Sequence, residues 1–279
     1  MKKLILLLIF CSIISTFSQT PDSNLHKWIP KGIVGLNFSS ISFDNWTQGG
    51  DDALTYSLNG NFGVDYKTSN WEFLNNLKLV YGQTKIGSGE FKTNDNELYL
   101  ESIFKLRLSW IVEPFFSNII RTTIANGYKY DKDTIIPIAT FFDPAYVTQS
   151  LGFSYGHLKF FKIRIGVAAQ EIFTNKYNQY SDDPKTTEVE KFKFETGIES
   201  VADIDYTLME NIRLKSQLRL FSAFHRLDVW DVRWDNTITA QVNKYIVVNF
   251  NILFVYEQAQ SLHTQLKKVF QVGLTYSLF

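Results

Sequence analysis

Between residues 192 and 220 most charged residues fall on one set of alternate positions in each of two runs. Glu199, Asp203 and Asp205 occupy one run, and Arg213, Lys215 and Arg219 the next. Carboxylates and cations set this way on one face can do one of two things. They can neutralise each other in a network that fills and rigidifies an interior. They can also form an eyelet of opposed charges that orients a polar or charged solute. A turn centred near Met209 sets Asp205 opposite Arg213, Asp203 opposite Lys215 and Glu199 opposite Arg219. A second turn centred at Leu227 adds Asp235 opposite Arg219, and Lys162, Arg164, Asp231 and Arg233 extend the set. The charges nearly balance, which argues against a strongly ion-selective passage. Both readings stand at this point.

Other reactive groups are sparse. The four histidines, His26, His157, His225 and His263, include no pair at metal-ligand spacing. Asp51-Asp52, Asp182-Asp183, His225 with Asp228, and His263 all fall in expected external loops. They are the ingredients of the alternative reading, a hydrolase acting through its surface loops, although acidic pairs in loops are commonly solvated turn residues. No catalytic residue, cofactor site or metal site is assigned. The equal numbers of basic and acidic residues, 28 each, without a basic cluster, give no footprint for nucleic acid.

The elements that must position these charges have a period of two, so they are strands. Opposite the charged face run Phe192, Phe194, Thr196, Ile198, Ser200, Ala202, Ile204 and Tyr206, then Ile212, Leu214, Ser216, Leu218 and Leu220. A face that is apolar, with complementary charges behind it, is the pattern of a transmembrane β-barrel with lipid outside and a polar lumen inside. The rest of the chain repeats it. The first strand (about 32–43) turns Val34, Leu36 and Phe38 outward; the second turns out Leu54, Tyr56, Leu58, Phe62, Val64 and Tyr66; the third Trp71, Phe73, Leu77, Leu79 and Tyr81. The fourth turns out Leu98, Leu100, Phe104, Leu106 and Leu108, with Glu97, Glu101, Lys105 and Arg107 inward. The fifth (about 114–126) is oriented by placing Arg121 inside, and residues 127–144 read as a long loop. Later strands follow the same rule, and the last is expected over 268–279. Twelve strands result, with no charged residue in their outward sets, although 20% of the chain is charged.

Connections after even-numbered strands are short and most others long, which threads the chain with both ends periplasmic. Aromatic residues, 16% of the chain, gather near strand ends, where interfacial girdles belong.

The first eighteen residues carry Lys2 and Lys3, an apolar run Leu4–Ile14, and small residues Thr16 and Ser18, and read as a secretory signal peptide. The single cysteine, Cys11, lies in it, so the mature chain has no disulfide. Residues 19–31 are expected as a short periplasmic lead-in and 32–279 as the barrel. No later apolar run is long enough for a spanning helix. An exported chain of amphipathic strands points to the outer membrane of a Gram-negative bacterium.

Several local patterns carry a resemblance: Gly35-Leu36-Asn37-Phe38, Asn45-Trp46, Gly49-Gly50, Tyr81-Gly82, Lys92-Thr93-Asn94-Asp95, Gly127-Tyr128, Pro144-Ala145-Tyr146-Val147-Thr148 and Ser150-Leu151-Gly152-Phe153. The chain resembles an uncharacterised outer-membrane β-barrel family of the Bacteroidetes, a domain-of-unknown-function family. That implies a barrel at the cell surface and no particular activity. The terminal VGLTYSLF is similar to the signal read by the barrel-assembly machinery, with Phe279 as the final aromatic, although Val272, Leu274, Tyr276 and Leu278 are out of phase with it. The expected partners are outer-membrane lipid, the assembly machinery and a small polar solute. The expected role is passive passage or binding of such solutes, or an envelope-structural one.

Overall fold

A computed structural model describes residues 25–42, 51–131, 134–183, 186–258 and 263–278. The leader, Asn45-Trp46, Gly49-Gly50 and Phe279 lie outside them. Fourteen strands form, in order β1 (Trp28–Ile41), β2 (Ala53–Lys67), β3 (Trp71–Ile86), β4 (Lys92–Leu106), β5 (Glu113–Thr122), β6 (Gly127–Asp131), β7 (Thr134–Ala139), β8 (Ala145–Leu158), β9 (Phe161–Phe173), β10 (Phe192–Met209), β11 (Ile212–Ala223), β12 (Asp231–Gln241), β13 (Ile246–Tyr256) and β14 (Gln265–Ser277). Twelve of them close a barrel in the order β1-β14-β13-β12-β11-β10-β9-β8-β5-β4-β3-β2, every pair antiparallel. Closure leaves no strand edge unpaired, the condition for a sheet to cross hydrocarbon. No helix among the described residues is long and apolar enough to do so.

The barrel is a transmembrane one, because its outer surface is apolar and its inner surface polar. Leu58, Leu151, Val167, Phe270 and Leu274 are more than half exposed on the outside. Asn37, Ser57, Glu101, Ser117, Thr148, Arg164, Gln170 and Glu199 are buried inside. At the end of the barrel that carries the short turns, Trp28, Tyr66, Trp71 and Phe104 form a continuous aromatic chain with centroids 4.7, 5.2 and 5.6 Å apart. Those short turns are written in local side-chain chemistry. Thr68 Oγ1 accepts hydrogen bonds from the backbone N–H groups of Asn70 and Trp71, and Asn243 Oδ1 accepts from those of Tyr245 and Ile246.

Three expectations are corrected. The 127–144 segment is not one long loop. It contains the β6–β7 hairpin, which stands outside the barrel order. β1 and β14 begin earlier than expected, at Trp28 and Gln265, because Trp28 already pairs with Tyr66 and Gln265 with Val255. The outward face is also not free of charge. Register places Lys85 beside Leu54, Glu171 between Val147 and Phe194, and Lys268 beside Ile252, all on outward rows. All three sit within three residues of the long-loop ends of their strands, where a charge costs far less than at the midplane.

Between β8 and β9 the backbones come close where Gly152 faces Gly166. A Cβ on Gly152 would lie 2.1 Å from the Ile165 carbonyl oxygen, so only glycine permits this approach.

Candidate functional site

The inward faces meet across the lumen in three levels of ion pairs. Nearest the short turns, Lys31 pairs with Asp65, and Glu72 receives Lys105 at 3.0 Å and Arg107 at 3.4 Å. On the opposite wall Arg213 binds Asp205 through both Nε (2.5 Å) and Nη2 (2.6 Å). Nearest the long loops, Arg121 Nη2 reaches Glu257 at 2.7 Å, Lys267 pairs with Asp95, and Glu195 is approached by Lys193 (3.2 Å), Arg226 (3.5 Å) and His225 (3.6 Å).

The middle level spans the interior. Arg233 of β12 pairs with Glu97 of β4, which stands at the opposite point of the strand order. Lys78 of β3 joins them, 3.4 Å from Glu97 and 3.2 Å from Asp235 of β12. On the adjoining wall Arg164 Nη2 lies 2.6 Å from Glu101 and 3.8 Å from Asp203. Arg219 donates to Glu199 (2.6 Å), Thr148 (3.1 Å) and Gln170 (3.2 Å), while Ser150 donates to the other oxygen of Glu199. Between Tyr99, Arg121, Tyr146, Thr148, Arg219 and Arg233 remains a void of about 10 Å³, room for roughly one water. The Arg121 guanidinium lies 4.7 Å over the Tyr146 ring, a cation–π contact that fixes its direction.

The sequence-based pairs are met unevenly. Asp205 with Arg213 and Glu199 with Arg219 both form, but as diagonals. In the strand register Asp205 faces Lys215, and Val201 faces Arg219. The turn falls at Glu210-Asn211 rather than Met209, and a bulge between Thr207 and Met209 shifts the ladder. Asp203 takes Gln217 Nε2 at 2.8 Å instead of Lys215, which is exposed, as is Lys162. Arg219 does not meet Asp235. It faces Arg233 directly and turns away toward Glu199, leaving Asp235 to Lys78 and Asn251. Asp231 pairs with Arg226 at 3.3 Å. The pairs missed from sequence are those between remote strands, Arg233–Glu97, Lys78–Asp235 and Arg121–Glu257. Local alternation marks each residue as inward but carries no signal for its partner.

The contacts described for His225, His157 and Asp182 bring no nucleophile to a histidine. His225 approaches Glu195 rather than a nucleophile, and the His157 ring bonds the Ile111 carbonyl at 2.9 Å. Asp182 Oδ1 accepts from the Glu190 backbone N–H. Among the described residues no group of three His, Cys, Asp or Glu could hold a metal ion.

Against known proteins the family match is partial. Residues 38–128 match the family described as protein of unknown function, DUF3078. The stretch begins at Phe38 and ends at Gly127-Tyr128, so it spans most of the patterns that carried the resemblance and stops short of those from Pro144 onward. No curated protein matches the chain. Similar solved structures include the COG4313 outer membrane channel from Pseudomonas putida F1, at 12% identity and TM-score 0.41, covering 93% of this chain and 98% of that one. The translocator domain of the autotransporter NalP from Neisseria meningitidis follows at 10% and 0.38, covering 91% and 90%. The CymD monoaromatic hydrocarbon channel stands at 9% and 0.38, covering 91% and 89%. The fold of the present chain follows from the closed pairing of its own strands.

Proposed function

We propose that the protein is an outer-membrane β-barrel of a Gram-negative envelope whose charge-lined lumen binds or passes small polar solutes. Its middle ion pairs hold the passage shut until a solute or ion takes over one partner. The observation that carries this reading is the chemistry of the crossing. Lys78, Glu97, Arg233 and Asp235 are charged, come from opposite walls, and keep side-chain exposures of 33%, 20%, 18% and 23%. Rigidity alone does not call for charge here, since well-packed apolar residues fill a buried volume at equal or better stability. The export signal read at residues 1–18 and a C-terminal β14 presented to the barrel-assembly machinery complete the proposal.

A second reading has its own observation. The nearly buried pairs Arg164–Glu101 and Arg219–Glu199 favour a permanently filled interior and an envelope-structural role. Single-channel recording in planar bilayers separates the two. A solute pathway gives wild-type openings whose conductance scales with salt, and the double variant Glu97→Gln, Arg233→Gln raises the open fraction at least tenfold. A silent wild type, with steps only in the variant, rejects passage and leaves the structural role.

A further inference from the structure

The outward face carries one row that does not suit lipid. Asn75 of β3 faces Ser102 of β4, Ser102 faces Asn118 of β5, and Asn118 faces Gln149 of β8. The row continues to Ala169 of β9 and Thr196 of β10. Each of these side chains is small, polar or both. The rows on either side are bulky. On one side run Leu77, Leu100, Ile120 and Val147; on the other Phe73, Phe104, Phe116, Leu151 and Val167. A shallow polar groove therefore crosses six strands obliquely. It starts four residues from the short-turn end of β3 and passes the middle of β5 at Asn118.

Elsewhere on the outward face Ser216 is matched within the chain. Ser216 donates to Asn236 Oδ1 at 2.7 Å and accepts from Trp234 Nε1 at 3.0 Å. Ser102 donates to Asn75 Oδ1 at 2.6 Å. Asn118 and Gln149 make no side-chain hydrogen bond among the described residues. Hydrocarbon offers none either, so their carboxamides need another protein.

We propose that this groove is the interface between two copies of the chain in the membrane. A carboxamide donates and accepts at once, so the same row on a copy related by a two-fold along the membrane normal is its own complement. Two oblique rows facing across that axis cross at one depth. Asn118 at mid-strand is where the crossing sets like against like, with Ser102 and Gln149 to either side. Within the row Ser102, Ala169 and Thr196 are small enough to let the walls approach, as at small-residue contacts between membrane segments.

The test is disulfide trapping of the full-length chain in native membranes, with Cys11 replaced by Ser. The variants are Asn118→Cys, Gln149→Cys and, on the opposite wall, Phe250→Cys. A heat-dependent gel shift verifies that each is folded. Most of the Asn118→Cys protein is expected as a covalent dimer, at least tenfold more than for Phe250→Cys. The double variant Asn118→Leu, Gln149→Leu is expected to stay folded and run as a monomer by light scattering in mild detergent. Folded Asn118→Cys and Gln149→Cys proteins that remain monomeric, equal trapping at Phe250→Cys, or trapping to a different protein would each overturn the proposal.

Discussion

Arg219 and Arg213 show how much one position in the wall changes the meaning of the same residue type. Arg219 is largely enclosed, its side chain 13% exposed, and holds Glu199, whose side chain is 3% exposed, together with Thr148 and Gln170. Arg213 makes a better-shaped, two-pronged pair with Asp205, but at 56% and 43% exposure. Removing one partner of an enclosed pair strands a charge and costs about 3–5 kcal/mol. An exposed pair contributes about 0–1 kcal/mol. Arg219→Ala should therefore lower folding stability in urea-driven refolding into vesicles by about 3–5 kcal/mol, and Arg213→Ala by less than about 1 kcal/mol. Equal losses would mean that water reaches Glu199 as freely as Asp205.

At the scale of elements, the excursions at the long-loop end are built separately from the wall. The β6–β7 hairpin touches β4 mainly through Tyr130, whose hydroxyl accepts from the Thr93 backbone N–H while Lys92 lies 5.2 Å over its ring. No barrel strand takes its register from the hairpin. Replacing residues 127–139 by a short Gly/Ser linker should leave the heat-dependent gel shift of the barrel intact.

The 174–191 segment is closed on itself by Glu190. Its carboxylate accepts from Thr186 Oγ1 at 2.5 Å and from the Asp183 N–H at 3.0 Å, and these bonds hold its pKa down at about 2. A carboxylate depressed in the folded loop stabilises it above the ordinary value of 4.5 and stops doing so as the pH falls toward 2. Hydrogen exchange of the Asp183 amide should thus stay protected near pH 4, where an ordinary glutamate is mostly protonated, and open near pH 2. Glu190→Gln should remove that transition.

For the whole molecule, the middle ion pairs tie walls that face each other across the barrel. Their effect should depend on complementarity rather than on either residue alone. The exchanged pair Glu97→Arg, Arg233→Glu should restore the low open fraction that either single change raises, as read by conductance. If the singles and the exchange behave alike, shape rather than charge closes the lumen.

The sequence by itself determined the period-two pattern, the inward charges, the apolar outer face and the parity of strands. Each depends on residues one or two positions apart, and a pleated strand sends these to opposite faces whatever lies beyond it. For β5 the alternation needed one added premise, that Arg121 lies inside; with it Phe116 falls outward, as found. The 127–144 hairpin was obscured because a short ribbon standing off the wall needs no lipid-facing row, so the alternation that marks the other strands is weak there. The polar groove was hidden for a different reason. Asn75, Ser102, Asn118 and Gln149 are each a single interruption in an apolar set, and only the registers of four strands align them. Tertiary structure alone likewise decided that Arg219 turns to Glu199 while Arg233 crosses to Glu97. Closing the sheet sets the distance between strands remote in the chain, and that distance fixes which opposite charges can touch.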